Sequence, residues 1–198
     1  MYNSRENDLK LLLNWSRSIT LTETHYWIAN LGDSRSIVLE SAEFGNWTKP
    51  VDPTVMSESE LGIRFATTDQ KPSCEKQRIT ASGHTVVAGR IDCSLSVSRA
   101  FGDYSFKRNS KLLLAEQAVI SLPEITKLRR GGNDEFIILG CDGVFGNILS
   151  NNEMAIAVRA KCAEQDELQN AAKDIIDLSL RSSSFDNMTV LIINILPK

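Results

Sequence analysis

The segment EFIILGCDGVFGNIL, residues 135–149, places a charged side chain just after a run of apolar residues. The run from Phe136 to Leu139 is apolar at every position, which is typical of a strand buried on both faces, and Gly140 ends it. Asp142 follows two residues later. An ionised carboxylate at the end of a buried strand is costly unless cations or hydrogen-bond donors satisfy it. A turn or helix-capping aspartate is the simpler explanation of a single Asp-Gly pair, so the rest of the chain must decide.

The composition is that of an ordinary globular protein. Its 198 residues are 42% hydrophobic and 24% charged, enough for one domain with a sizeable core. The formal net charge of −3 predicts no broad attraction to nucleic acid or to a membrane surface. Two histidines, and four cysteines without a C-x-x-C pair, argue against a zinc cluster. The apolar runs LKLLLNW and VLIINIL are too short for a signal-peptide core or a membrane span. We therefore expect an intracellular protein, in the cytoplasm or nucleus, with reduced thiols.

Strands are predicted from β-rich and continuously apolar runs. Two of them, at 26–31 and 34–39, flank Gly32-Asp33, a pattern that predicts a hairpin. Further strands are predicted at 135–140 and 188–195. The polar, proline-containing stretch SAEFGNWTKPVDPTVMSESE predicts a long loop.

Helices are predicted from start signals and apolar periodicity. Ser150 and Glu153 have capping-box spacing ahead of a helix at about 152–163. A second helix, at about 166–180, has an apolar stripe at helical spacing, and a short one is predicted at about 75–82. The sequence contains no internal repeat or linker, so we predict a single domain over residues 1–198.

Four aspartates share one feature: each lies at a predicted strand end or tight turn, beside glycine or asparagine. They are Asp33 in LGDSR, Asp103 in FGDYS, Asp142 in CDGVF and Asp186 in FDNMT. Each alone is a turn residue. If they converge on one edge of a sheet, together they suit a hard divalent cation such as Mg²⁺ or Mn²⁺, because these ions prefer oxygen ligands.

Five segments, in order, resemble successive motifs of the metal-dependent type-2C serine/threonine protein phosphatases. They are ANLGDSRSIVL, DQKPSCEKQRITASG, SLSVSRAFGDYSFK, FIILGCDGVFGNILSNNE and SSFDNMTVLIINI, and they extend over about 27–195. The resemblance implies an α+β fold: an α-β-β-α sandwich of two mainly antiparallel sheets flanked by helices, with a two-metal site at one end. It also implies Mg²⁺ or Mn²⁺ as cofactors and phosphoserine or phosphothreonine proteins as substrates.

The resemblance assigns roles by motif. Asp142 and Asp186 match carboxylates that bind one metal ion of the pair, and Asp33 matches an aspartate associated with a further, weaker metal position. Asp103 lies in a shared motif, but a structural turn explains it equally well. Arg35 and Arg99 are expected to pair with nearby carboxylates.

The family chemistry needs no protein nucleophile. Two cations lower the pKa of a bridging water, which attacks phosphorus in line, and charge on the phosphoryl oxygens is offset by the metals and an arginine. We therefore assign no catalytic side chain in this sequence.

The resemblance fails near the N-terminus. The family carries there a phosphate-gripping arginine, an acidic ligand of the second metal and an Asp-Gly-His-Gly-Gly-like segment whose aspartate bridges both metals, and residues 1–26 contain none of these. In addition, Gly146 stands where the family usually has aspartate, and Gln70 where it usually has histidine. We expect the chain alone to be inactive and to bind metal at most weakly.

Three interpretations remain. The chain is an N-terminally truncated fragment of an active phosphatase, or a degenerate phosphatase-like module retained for binding or regulation. A Mg²⁺-dependent hydrolase of small phosphoesters is the third, but it explains the ordered motifs poorly.

Overall fold

A computed structural model of the chain describes residues 9–13, 17–42, 52–146, 148–165 and 168–195. The elements follow in this order: β1 (Leu9–Leu13), β2 (Arg17–Leu21), β3 (His25–Asn30), β4 (Arg35–Glu40), β5 (Ile63–Ala66), α1 (Lys76–Ala81), β6 (Val86–Val87), β7 (Arg90–Ile91), β8 (Glu124–Arg129), β9 (Asp134–Gly140), α2 (Asn151–Gln165), α3 (Leu168–Arg181) and β10 (Val190–Asn194). Short 3-10 helices occur at Tyr104–Lys107 and Leu114–Glu116. The chain divides into two compact units, residues 1–33 with 68–130, and residues 34–67 with 131–198.

The first unit contains a four-stranded antiparallel sheet in the order β1-β2-β3-β8. Along β3, Tyr26 and Ile28 are buried whereas Trp27 is 42% exposed, as expected of a strand with one covered face. The same unit holds α1 and the β6-β7 hairpin, and a small core of Ile79, Ile91 and Val119 lies among them.

The second unit contains an antiparallel sheet in the order β10-β9-β4-β5, and α2 and α3 pack against it. Strand β9 lies between two neighbours, and Phe136 to Gly140 are all buried, so the prediction of a strand covered on both faces is confirmed. The core joins apolar side chains of the sheet to those of the helices, among them Ile37, Ile138, Val158 and Ile175.

The predicted start of α2 is confirmed in atomic detail. The Ser150 backbone N–H donates to Glu153 Oε2 at 2.7 Å, and the Glu153 backbone N–H donates to Ser150 Oγ at 3.2 Å. This reciprocal pair satisfies donors that the first turn of a helix leaves without intrahelical partners.

Most other predicted elements are also found. The strand predicted at 188–195 is Val190–Asn194, and the helix predicted at 75–82 is Lys76–Ala81. Of the long polar loop, residues 52–60 contain no strand or helix, and 43–51 lie outside the described residues. The first two residues of the helix predicted at 166–180 also lie outside them. Strands β1 and β2 were not predicted from the sequence.

The predicted hairpin at Gly32-Asp33 is wrong. Strand β3 pairs with β2 and β8, whereas β4 pairs with β5 and β9, so the two strands join different sheets. Gly32, where a hairpin turn was expected, is hydrogen-bonded instead to Gln70. The Gly32 N–H donates to the side-chain Oε1 of Gln70 at 2.7 Å, and the backbone N–H of Gln70 donates to Gly32 O at 2.9 Å. A partner 38 residues away in sequence thus replaces the facing strand.

One buried cation ties α2 to the sheet of the second unit. The Arg159 side chain is 4% exposed, and its guanidinium donates to the Glu135 carboxylate, to Glu40 O and, at 3.3 Å, to Leu61 O. Gly62 has φ +66°, and a Cβ there would lie 2.3 Å from Glu40 O, so a larger residue cannot fit beside this network. The buried charge is therefore compensated by acceptors from three strands or their ends.

Replacing Arg159 by alanine should lower the free energy of unfolding by about 3–5 kcal/mol, because the partly buried Glu135 carboxylate loses its cation and two backbone carbonyls lose a donor. Lys161→Ala, two residues along the same helix, is the matched control, since its ion pair with Asp174 is more than a third exposed on both sides and should contribute about 0–1 kcal/mol. Urea denaturation measures both. Equal losses would contradict a special role for Arg159.

No helix among the described residues is both long and apolar enough to cross a membrane.

Candidate metal centre

Asp142 lies in a tight turn directly after β9. The backbone N–H groups of Val144 and Phe145 both donate to Cys141 O at 3.1 Å, which folds the chain back on itself. This folding requires glycine at 140, where a Cβ would lie 2.6 Å from a Val144 methyl carbon. Cys141 and Gly143 are buried on either side, and Asp142 between them is exposed.

The turn after β9 is fastened to the loop that precedes β10. Cys141 N–H donates to Thr189 O, Thr189 N–H donates to Cys141 Sγ, and Cys141 Sγ–H donates to Asn187 O, each at 3.2 Å. The Ser184 hydroxyl donates to Gly143 O at 2.7 Å. Four hydrogen bonds therefore fix the two segments against each other.

Gly143 lets the two segments approach closely enough to bring Asp186 next to the turn. A Cβ built on Gly143 would lie 2.4 Å from Asn187 O and 3.3 Å from the Asp186 Cβ. Asp186 is exposed, and its Oδ1 accepts from the Asn187 N–H at 2.7 Å. The structure thus places both Asp142 and Asp186 where the adjacent strands β9 and β10 meet their loops, with both carboxylates on the surface.

Asp33 lies in the first unit, in the connection after β3. Its side chain is 13% exposed, and its Oδ2 accepts a hydrogen bond from Lys71 Nζ at 2.5 Å. Among the described residues nothing donates a hydrogen bond to the other oxygen, Oδ1. A carboxylate can accept several donors, so Asp33 keeps capacity for a second cation without losing Lys71.

Gln70, which stands where the family usually has histidine, holds the chain in front of Asp33. It is 5% exposed, its Nε2 donates to Asn30 O at 3.1 Å and its Oε1 accepts from the Gly32 N–H at 2.7 Å. The Ser98 hydroxyl also donates to Gln70 O at 2.8 Å. The side-chain amide supplies the donor and the acceptor that this buried backbone needs.

Asp103 has the features of a structural turn. Its φ of +56° is left-handed, it is exposed, and its carbonyl accepts the Phe106 N–H at 3.0 Å at the start of the 3-10 helix. Aspartate tolerates this conformation better than most residues. Gly146 also has a positive φ, +82°, which favours glycine.

The two arginines of the motifs contact protein groups. Arg99 binds both oxygens of Glu75, with Nη2 to Oε1 at 2.6 Å, so its predicted pairing with a carboxylate is confirmed. Arg35 donates to Asn151 Oδ1 at 2.8 Å and lies 5.4 Å from the centroid of the Phe145 ring. For Arg35, pairing with a carboxylate stays a prediction.

Within the part of the chain that the structure describes, no three His, Cys, Asp or Glu side chains are grouped so that they could hold a metal ion. Asp142 and Asp186 therefore offer two oxygen ligands of the kind that Mg²⁺ and Mn²⁺ prefer, and water would have to complete the coordination. Carboxylate oxygens are the right type of ligand for a hard cation, but two carboxylates are fewer than such an ion needs.

Comparison with known proteins identifies the family. The family model described as Protein phosphatase 2C matches residues 16–188. The chain belongs to the protein phosphatase 2C family. Members of this family depend in general on Mg²⁺ or Mn²⁺.

Curated relatives agree with this assignment. The chain is 34% identical to Protein phosphatase ppm-1.A of Caenorhabditis elegans over 176 residues, which cover 87% of this chain and 33% of the relative. It is 32% identical to mouse Protein phosphatase 1B over 177 residues, covering 88% of this chain and 40% of the relative. The chain therefore spans about a third to two fifths of the length of these relatives.

Solved structures show the same fold. A phosphatase from a pathogenic strain of Toxoplasma gondii matches with a TM-score of 0.72 and 26% identity, over 88% of this chain and 50% of that one. A sex-determining protein of C. elegans matches with a TM-score of 0.67 and 20% identity, over 91% of this chain and 40% of that one. The predicted fold class, α+β of the type-2C phosphatase kind, is confirmed.

Some supporting residues were not identified from the sequence. Lys71, Ser184 and Gly143 each position a predicted aspartate or the loop that carries it. The one signal was that all three residues lie inside the quoted motifs, but nothing in the sequence distinguishes Ser184 from its serine neighbours.

Gly143→Ala should lower the free energy of unfolding by about 1–3 kcal/mol, because the new methyl group overlaps a backbone carbonyl and must push the loop before β10 away. Gly132→Ala, in the same unit, has nothing within 4 Å of its Cβ position and should change stability little. Thermal denaturation compares the two. A tolerated Gly143→Ala would show that the loop is not held as described.

Proposed function

We propose that this chain is part of the catalytic domain of a metal-dependent serine/threonine phosphoprotein phosphatase, with residues 1–198 forming a partial domain. The observation that supports the proposal is the contact between the turn at 141–143 and the loop at 184–189, which brings the segment that carries Asp142 against the segment that carries Asp186 where β9 and β10 meet their loops. Membership of the protein phosphatase 2C family supports the reaction class.

Asp142 and Asp186 would hold one metal ion of a pair. The Asn187 N–H on Asp186 Oδ1 orients that carboxylate and leaves Oδ2 for a cation. Asp33, with Oδ1 available beside the Lys71 ion pair, would serve a further and weaker metal position. Such ions, when bound, supply an activated water and offset phosphoryl charge. The substrates would be phosphoserine and phosphothreonine proteins.

The chain by itself is proposed to be inactive. The sequence contains no Asp-Gly-His-Gly-Gly-like segment to bridge two metals. Two carboxylates and water would hold one ion only loosely. A water on that ion would not be shared with a second metal, so the pKa of the water would stay higher than in a two-metal site.

The chain of residues 1–198 should therefore show no measurable turnover of a phosphoserine or phosphothreonine peptide in the presence of Mn²⁺. A phosphate-release assay tests this, with the Asp142→Ala variant as background. Turnover by the wild type that depends on Mn²⁺ and disappears in Asp142→Ala would contradict the prediction and point to replacement ligands.

Metal binding can be detected without activity. Mn²⁺ at about ten times its Kd should stabilise the wild type by about 1.4 kcal/mol through mass action. Asp142→Asn and Asp186→Asn should lose most of this stabilisation. Without metal, neither variant should be less stable than wild type, since each removes one of two like charges on adjacent segments.

Asp103→Asn is the matched control, because Asp103 is also an exposed turn aspartate in a shared motif. It should keep the full Mn²⁺ effect in a thermal titration. Equal stabilisation of wild type, Asp142→Asn and Asp186→Asn would place the metal elsewhere and leave these aspartates as turn residues of a degenerate binding module.

A further inference from the structure

A cavity of about 310 Å³ lies beside Asp33, entirely within the first unit. Apolar side chains form much of its wall, and two charged residues complete it. The residues used below are Leu31, Val97, Ala100 and Phe101 on the apolar side, with Asp33 and Arg99. This volume is at the small end for ligand sites, about 300–1,000 Å³, so it suits a single side chain better than a cofactor.

Each charged group that lines the cavity already has a partner of opposite charge. Arg99 pairs with both oxygens of Glu75, and its Nη1 donates to Leu122 O at 2.9 Å, which uses three of its five N–H donors. Asp33 uses Oδ2 for Lys71, which does not line the cavity, and keeps Oδ1. A carboxylate oxygen is therefore available to a guest, and a cationic donor binds such an oxygen more strongly than a neutral one does.

The apolar wall identifies the kind of cation. The Phe101 side chain is 56% exposed, and an aromatic face attracts a guanidinium or ammonium group placed over it. Leu31, Val97 and Ala100 offer apolar surface to the methylene stem that carries such a group. A metal ion would use neither the ring nor this surface.

We propose that this cavity binds an arginine side chain of the phosphoprotein substrate, with the guanidinium on Asp33 Oδ1 and against the Phe101 ring. A planar guanidinium both pairs with a carboxylate and stacks on an aromatic ring, which an ammonium does less well. The proposal rests on the proposed phosphatase function for the source of the arginine. A metal ion at the further position would need the same oxygen, so the two cations exclude each other.

The test uses the isotope-labelled chain and N-acetyl-arginine amide as the probe, followed by NMR amide shifts. N-acetyl-citrulline amide has nearly the same shape without the charge and is the control ligand. The arginine compound should shift the Gly32, Asp33 and Gly102 amides, and the citrulline compound should bind at least tenfold more weakly.

Three variants locate the contacts. Asp33→Asn should weaken arginine binding at least tenfold, and Phe101→Ala about two- to fivefold, the range expected for an exposed cation–π contact. Phe101 is too exposed for its removal to threaten folding. Phe185→Ala, which removes a 97% exposed ring from the second unit, should leave binding unchanged.

Equal affinity for arginine and citrulline compounds, or undiminished binding in Asp33→Asn, would overturn the proposal. So would arginine binding that Phe101→Ala leaves unchanged, since the site would then be a simple cation site of the metal type. The Mn²⁺ experiment on Asp142 and Asp186 is independent of these results. If Mn²⁺ stabilises wild type and both Asn variants equally while arginine binding is observed, the proposed phosphatase function is rejected and the cavity remains a guanidinium site.

Discussion

The close approach of Gly143 to the carbonyl of Asn187 is the constraint on which the candidate metal centre depends. With no side chain at 143, two loops from neighbouring strands lie in van der Waals contact, and the Cys141 and Ser184 hydrogen bonds hold them there. The turn that carries Asp142 and the segment that carries Asp186 are thereby held against each other, and both carboxylates are exposed. Because water screens charge repulsion, two exposed carboxylates on adjacent segments cost little stability.

The stability that keeps these loops in place comes from elsewhere in the second unit. Strand β9 is buried from Phe136 to Gly140, and α2 and α3 close the apolar core over the sheet. Arg159 adds a directional link between α2 and the strand ends at the side of Glu135, the opposite end of β9 from Asp142. A rigid strand anchored at one end can present a short turn at the other with little freedom, which is how a scaffold positions ligands.

Local patterns were enough to predict some parts of this fold. The apolar run of β9 and the Ser150–Glu153 box concern neighbouring residues, so the sequence states them directly. The hairpin failed because Gln70, far along the chain, supplies the hydrogen bonds at Gly32. The short runs that form β1 and β2 gave no recognisable signal. For the site, the motifs identified the aspartates, but the contact that brings Asp142 and Asp186 together depends on Gly143 meeting a backbone atom more than forty residues away, which no spacing rule reveals.

The glutamine at position 70 determines how the hydrogen bonds at the end of β3 respond to pH. Its amide neither gains nor loses a proton, so the bonds to Asn30 O and the Gly32 N–H are the same in acid and in neutral solution. A histidine doing the same work would lose its acceptor nitrogen on protonation, near pH 6.5 for an unperturbed ring. These two hydrogen bonds, which hold the connection that carries Asp33, are therefore insensitive to acidification over the pH range in which a histidine would lose its hydrogen bond to the Gly32 N–H.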